Sequence, residues 1–163
     1  MAYDIQWLPP LIVPNVKHMS QLDAFFEKIF IKEFEEKEII YLDYPVVINK
    51  PGDPNYSKKV LDHLTTRDNN RSESRGLDLE RAKRLLWCPA VISHPNDPNV
   101  LNFDYRESDG IIRTYLYLKP FVLDYLVILE KDEQSHEAFI VSSYYIDKEY
   151  KKHSYIDKSK KAI

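Results

Sequence analysis

Residues 62–87 combine one histidine with six basic side chains, and these residue types could transfer protons and bind anions. The six cations are Arg67, Arg71, Arg75, Arg81, Lys83 and Arg84. An imidazole such as that of His63 exchanges its proton near neutral pH, and a guanidinium group binds phosphate through paired hydrogen bonds. The stretch therefore predicts a site for a polyanion or, as the simpler alternative, a solvated charged face.

Charge is unevenly distributed along the chain, although the net charge is only -3. Residues 22–44 carry three Lys against seven acidic residues, which gives this segment a net charge of -4. Residues 58–84 carry eight Lys or Arg against five acids, a net charge of +3, and residues 148–163 carry six Lys against two acids, a net charge of +4. Two basic regions in an otherwise acidic chain favour a polyanionic partner.

Several kinds of site are excluded by composition. The glycines at 52, 76 and 110 stand too far apart to form a glycine-rich phosphate loop. The single cysteine, Cys88, excludes an intrachain disulfide and a cysteine-rich zinc site. No acidic cluster has metal-ligand spacing, so we expect neither a metal nor another cofactor. The first residues contain no basic segment followed by an apolar run, which favours a cytoplasmic protein without a signal peptide.

The first 56 residues are predicted to form a helical extension that packs on the core. Apolar residues recur at helical spacing over 21–37, where Ser20 is expected to cap a helix with Asp23 as its capping-box partner. These apolar residues are Leu22, Phe25, Phe26, Ile29, Phe30 and Phe34. Residues 39–48 have strand-like composition, but Pro45 predicts an edge or a bend there.

Two helices and a basic tail are predicted in the remaining domain, residues 57–163. The first helix spans 57–65. The second begins at Asp78 as its N-cap and is ended or kinked by Pro89. Its inward side chains are expected to be Leu79, Ala82, Leu85 and Leu86. The residues from 148 onward are predicted to form a polar, basic C-terminal tail.

Four segments rich in β-branched and aromatic residues follow the helices, with short turns between them. They are 100–107, 111–118, 121–131 and 137–147. Four consecutive strands with short connections predict an antiparallel meander. Helices first and sheet second indicate an α+β fold, in which the N-terminal helices pack on one face of the four-stranded sheet.

Alternation along residues 111–118 predicts which side chains face outward. The even positions are apolar or Thr and suit the helix-packed face, so Arg113 and Tyr115 fall on an open face. An open face with Arg and Tyr suits single-stranded nucleic acid, because bases stack on the rings and the guanidinium holds phosphate. The alternative is an ordinary half-exposed antiparallel sheet, in which tyrosines are common. In the last strand either Ser142 with Tyr144 or Ser143 with Tyr145 shares that face.

The order of these segments resembles a family of small nucleases. The resemblance is carried by the segments KKVLDHLTTRD, LDLERAKRLLWCPAVI, IIRTYLYL, DYLVILEK and FIVSSYYID. Together they resemble phage-encoded and bacterial proteins of the barnase–EndoU–colicin–RelE-like nuclease superfamily. The family pattern places a histidine at the end of a short helix, then Arg-x-x-Arg-x-x-Trp, which matches Arg81, Arg84 and Trp87. The usual Thr-Ala before the last two tyrosines is Ser142-Ser143 in this chain.

The resemblance implies metal-independent cleavage of RNA (tRNA, rRNA or mRNA) by attack of the ribose 2′-hydroxyl on the adjacent phosphate. It implies catalytic roles for His63, Arg81, Arg113, Ser142 and Tyr144. His63 would transfer a proton, and the two arginines would hold the phosphate. Substrate binding is expected from Arg67, Arg84, Tyr115, Tyr145 and Lys151. A cognate inhibitor or immunity protein and a homodimer are expected as further partners.

A non-catalytic module on the same fold, binding RNA or protein, is the alternative. The acidic first helix with its phenylalanine stripe could form an interaction surface for a dimer or an inhibitor. His63 distinguishes the two hypotheses, because a binding module needs no imidazole beside its arginines. A structural phage component is a third hypothesis, but no repeat or assembly motif supports it.

Overall fold

The computed structural model describes residues 4–67 and 76–163 and has an α+β architecture. Its helices are α1 (Leu22–Phe30), α2 (Tyr56–Thr65), α3 (Leu79–Ala82), α4 (Trp87–Ile92) and α5 (Glu149–Lys160). A 3-10 turn, Met19–Gln21, precedes α1, and a π-helical turn, Ile31–Glu35, follows it. Within the described residues, no helix combines the length and apolar composition needed to cross a bilayer.

The central four-stranded antiparallel sheet confirms the predicted meander. Short strand pairs precede it: β1 (Ile40–Tyr41) with β2 (Tyr44–Pro45), and β3 (Thr66–Arg67) with β4 (Gly76–Leu77). The main sheet contains β5 (Val100–Arg106), β6 (Ile112–Leu118), β7 (Tyr125–Asp132) and β8 (Glu137–Tyr145), in that spatial order. Strand β7 begins four residues later than predicted because the preceding turn holds Lys119, Phe121 and Asp124 at positive φ, which a strand does not accommodate.

The main core lies between one face of this sheet and the helices before it. From the sheet it contains Leu116, Leu118, Val127 and Leu129, and from the helices it contains Leu22, Phe26, Phe30, Phe34, Leu64, Trp87 and Val91. Residues at the N-terminus, such as Ile5 and Leu8, belong to the same cluster. The predicted phenylalanine stripe is confirmed, because its i, i+4 spacing places one ring per turn against the sheet.

The start of the first helix differs from the prediction. Ser20 is not the cap, because the chain enters α1 through the 3-10 turn. The side chain of Gln21 instead accepts hydrogen bonds from the backbone amides of Lys17 and His18, at 3.0 and 3.3 Å. At the other end, the amide of Glu36 donates to the carbonyl of Ile31, five residues back, at 2.9 Å. The helix therefore ends as a π turn.

Residues 39–48 form a hairpin rather than one strand. Leu42 has φ 54°, which turns the chain between β1 and β2. Beyond Pro45, the amide of Val47 donates to the carbonyl of Ala138 at 2.8 Å, so this segment covers part of the outer edge of β8. The predicted edge position of Pro45 is consistent with its lack of a backbone donor.

The helix predicted from Asp78 is divided in two. Asp78 caps α3 as predicted, but α3 ends at Ala82, and residues 83–86 form turns with i to i+3 hydrogen bonds. Pro89 does not end a helix. It lies in the first turn of α4, where a residue without an amide hydrogen loses no helical hydrogen bond.

The second face of the sheet is not open, which corrects the sequence-based prediction. Residues predicted as a polar tail form α5, and this helix packs across Tyr115 and Tyr117, which are only 2% and 0% exposed. Tyr155 and Ile156 of α5 contact this second cluster. Charged groups add to the attachment, since the ammonium of Lys152 lies 3.1 Å from a carboxylate oxygen of Asp124.

Candidate functional site

Seven of the ten sequence-predicted site residues meet or adjoin one another at the C-terminal end of β8. Five structural elements carry them: the end of α2, β3, the short helix α3 with its following turn, β8, and the first turn of α5. We call this group the arginine–tyrosine cluster. It consists of His63, Arg67, Arg81, Arg84, Tyr144, Tyr145 and Lys151.

Arg81 is the centre of the cluster. Its Nη1 donates to the carbonyl of Thr66 at 2.9 Å and to the carbonyl of His63 at 3.4 Å. The last carbonyls of a helix have no partner within the helix, so Arg81 acts as a cap for the C-terminus of α2. The guanidinium carbon also lies 5.1 Å from the centroid of the Tyr144 ring. One side chain thus fixes α2 relative to the edge of the sheet.

Arg84 is buried to nearly the same extent as Arg81, whose side chain is 14% exposed. The guanidinium carbon of Arg84 lies 4.4 Å from the ring centroid of Tyr145 and 5.2 Å from that of Trp87. Nη1 donates to the carbonyl and the carboxylate of Glu80, at 2.8 and 3.0 Å. Only 11% of the side chain is exposed. Arg84 and Tyr145 therefore lie on the face of β8 opposite to Tyr144, the face that carries the main core.

Arg67 and Lys151 form the exposed margin of the cluster. Arg67 Nε lies 3.0 Å from Asp78, and its Nη1 lies 3.3 Å from Asp147, while the side chain is 46% exposed. Lys151 Nζ lies 5.7 Å from the centroid of the Tyr144 ring, on the same ring that Arg81 contacts. A guanidinium has five N–H donors, so Arg67 retains donors for an anion beside its two carboxylates.

His63 lies exposed in the last turn of α2, at the end that Arg81 caps. The carbonyl of His63 accepts from Arg81, so the backbone that carries the imidazole is fixed relative to the guanidinium. The predicted proton-transfer residue and the predicted phosphate-binding arginine are thus neighbours. The imidazole of His63 and the guanidinium of Arg81 are thus carried by adjoining parts of α2 and α3.

Tyr144 contributes its ring more than its hydroxyl. The hydroxyl is hydrogen-bonded to the hydroxyl of Tyr155 in α5. Burial raises the pKa of Tyr144, and the hydrogen bond with Tyr155 and the charge of Arg81 only partly oppose this. The phenol therefore stays protonated at neutral pH. Ser142 pairs with Ile128 of β7 and Tyr144 pairs with Leu126, so both belong to the face that carries Tyr115 and Tyr117.

Arg113 does not join the cluster. Its Nε is bound to Glu130 at 3.0 Å, whereas Tyr144 pairs with Leu126, four residues earlier in β7. Four residues along a strand and two strand spacings across the sheet separate Arg113 from Tyr144 by roughly 17 Å. Within the described residues, the polar partner of the Arg113 guanidinium is Glu130 and not a member of the cluster.

Tyr115 does not present a ring for base stacking. Its hydroxyl donates to Glu107 and accepts from Lys158, whose Nζ lies 3.0 Å away. Burial, followed by the hydrogen bond to Glu107, raises the pKa of Tyr115 to about 12. The ring is stacked on Phe103 and covered by α5, so it belongs to the second hydrophobic cluster.

Two residues at the site were not anticipated from the sequence. Asp147 pairs with Arg67 immediately after β8, and Tyr155 of α5 holds the hydroxyl of Tyr144. An aromatic–aliphatic pair at 155 and 156 within a lysine-rich segment is the signal that could have indicated a packed helix rather than a tail. Arg71 and Arg75, two of the six predicted cations, lie outside the described residues.

Comparison with known proteins identifies no relative. No family model matches the chain, and no curated protein or solved structure is significantly similar to it. The described residues contain no group of three or more His, Cys, Asp or Glu side chains arranged to hold a metal ion.

The N-cap of α3 is expected to set the position of Arg81. Asp78 accepts from the amides of Glu80 and Arg81, at 3.0 and 3.2 Å. Asp78→Ala removes this cap, and we expect the free energy of unfolding, measured by urea denaturation, to fall by about 1–2 kcal/mol. Asp78→Asn keeps a capping oxygen and should lose less. Equal losses in both variants would show that the ion pair with Arg67, rather than the cap, stabilises this region.

Proposed function

We propose that the protein is a metal-independent endoribonuclease whose site is the arginine–tyrosine cluster. One observation carries the proposal: the guanidinium of Arg81 contacts both the carbonyl of His63 and the ring of Tyr144. A group able to transfer protons, a group able to bind phosphate and an aromatic ring thus come from three separate elements. Lys151 adds a second cation to the same ring.

In the proposed reaction the ribose 2′-oxygen attacks the adjacent phosphorus, and the bond from phosphorus to the 5′-oxygen breaks. The products are a 2′,3′-cyclic phosphate and a 5′-hydroxyl, so the net change moves one proton from the 2′ to the 5′ oxygen. His63 accepts the 2′-hydroxyl proton, which makes that oxygen a better nucleophile, and the departing 5′-oxygen takes its proton from water. Arg81 and Arg67 stabilise the negative charge that grows on the phosphoryl oxygens.

The remaining members of the cluster have supporting roles in this proposal. Lys151 attracts the RNA backbone through its charge. The Tyr144 ring packs against the Arg81 guanidinium and fixes its orientation. Arg84 and Tyr145 hold α3 against β8 from the core side. Arg113 and Tyr115, which the sequence placed in the site, have no part in this reaction, because one lies at the far end of the sheet and the other is buried.

Cleavage should persist when divalent metal ions are removed. Purified protein incubated with total RNA in EDTA is expected to produce fragments that end in cyclic phosphate, since cations of the protein replace the metal. The ends can be identified by their resistance to phosphatase and their conversion by acid. A parallel preparation of Arg81→Ala controls for contaminating ribonucleases. Cleavage that requires magnesium would contradict this mechanism.

A further inference from the structure

A cavity of about 530 Å³ lies between α2 and the helix formed by α1 and its π turn. One lining residue, Thr66, accepts a hydrogen bond from Arg81 through its carbonyl, so the cavity adjoins the arginine–tyrosine cluster. Its apolar lining consists of Phe26, Phe30, Ile31, Leu61 and Leu77. Polar side chains surround these residues, so the cavity has an apolar floor and a charged rim. A cavity of this size and composition suits the side chains of a bound ligand.

The spacing of residues along the first helix creates one wall of this cavity. The row Leu22, Phe26, Phe30 and Phe34 faces the core, and the next row along lines the cavity or its rim. That second row is Asp23, Glu27, Ile31 and Glu35. Ile31 is 38% exposed at the start of the π turn. Turns of this kind are rare in helices and are frequently found at functional sites.

The rim of the cavity is acidic. Its carboxylates are Asp23, Glu27, Glu35 and Asp62, and Lys58 is the one cation among its described lining residues. In the described part of the chain, none of these four carboxylates lies within 4.0 Å of a Lys or Arg nitrogen. By contrast, carboxylates on the face of the sheet covered by α5, such as Glu107 and Asp124, are paired with lysines of that helix. The negative potential of the rim is therefore available to an external cation.

We propose that this cavity and its acidic rim bind a basic amphipathic segment of a partner protein. Apolar side chains of the segment would contact Ile31, Leu61 and Leu77, and its Lys or Arg side chains would pair with the carboxylates of the rim. The sign of the charge disfavours nucleic acid at this surface. The wall formed by α1 and the π turn is 14 residues long, which corresponds to about 20 Å and accommodates a helix of three to four turns. The proposal is independent of ribonuclease activity.

A synthetic peptide provides the test. The probe is a fluorescein-labelled 14-residue peptide with Leu at one helical face and Lys elsewhere, and the comparator carries Glu in place of every Lys. We expect fluorescence anisotropy to show binding of the basic peptide alone. Glu27→Lys with Asp62→Lys should weaken binding at least about tenfold, because like charges would face the peptide. Ile31→Ser should also weaken it.

The matched control reverses two exposed carboxylates of the same acidic segment that do not line the cavity. Glu36→Lys with Glu38→Lys makes the same change in net charge, and at physiological salt it should change affinity by less than about twofold. Circular dichroism establishes that each variant is folded. Equal losses in the two double variants, equal binding of the acidic peptide, or no binding of the basic peptide would overturn the proposal. Self-association of the chain that the Glu27 and Asp62 reversals abolish would identify a second copy as the occupant and would also overturn it.

Discussion

His63→Ala is expected to slow RNA cleavage by about 100- to 10,000-fold, which is the usual contribution of a general base or acid. The affinity for RNA should change far less, because proton transfer acts in the transition state whereas backbone contacts act in both states. Single-turnover rates and binding isotherms, measured on the same preparation, separate the two effects. The side chain is exposed at the end of α2, so the variant should fold.

A second histidine variant serves as the control for this result. His18 is also exposed, but it lies before the first helix and outside the cluster. His18→Ala should cleave RNA at the wild-type rate. If folded His63→Ala also cleaves at the wild-type rate, the catalytic assignment fails and the non-catalytic RNA-binding alternative remains.

Arg81→Ala is expected to have the second largest effect, a loss of about 100- to 1,000-fold in cleavage rate. This is the range observed when one preorganised donor to a developing oxyanion is removed. RNA affinity should fall as well, and its salt dependence should become less steep, because a phosphate contact is lost. The two carbonyls that Arg81 caps lose their donor, so we also expect a decrease of about 1–2 kcal/mol in the free energy of unfolding.

Arg113→Ala is the matched control for Arg81→Ala. It removes the same type of side chain, but from β6 rather than α3; its partner is Glu130, and both side chains are partly exposed. Such a pair contributes at most about 1 kcal/mol to stability, and the cleavage rate should be unchanged. If Arg113→Ala slows cleavage as much as Arg81→Ala does, the site extends along the sheet as the sequence predicted, and its assignment to the cluster alone is wrong.

Much of the fold could be predicted because its signals are local. The phenylalanine stripe has helical period, and the four final strands are separated by short polar turns. Asp78 was identified as a cap from its position before an apolar helical pattern, and the structure shows both of its hydrogen bonds. The family resemblance assigned His63 and Arg81 to one site, and in the structure Arg81 Nη1 lies 3.4 Å from the carbonyl oxygen of His63.

The cover provided by α5 could not be predicted from periodicity. Its contact side is formed by Tyr155, Ile156 and the paired Lys158, and a lysine-rich sequence with so few apolar residues resembles a solvated tail. Alternation assigned Arg113 to the correct face of β6 but did not give its position along the strand direction relative to β8. That position depends on the register with β7, in which Glu130 binds Arg113 and Leu126 pairs with Tyr144.

The central claim, that RNA binds at the arginine–tyrosine cluster, is tested most directly by locating a bound substrate analogue. A short 2′-deoxy oligonucleotide retains the phosphates but lacks the attacking hydroxyl, so it binds without being cleaved. Titrated into ¹⁵N-labelled protein, it should shift the amide resonances of His63, Arg67, Arg81, Tyr144 and Lys151. The resonances of Arg113 and Glu130 should stay in place. Shifts confined to the end of the sheet that carries Arg113, with the cluster unaffected, would contradict the account.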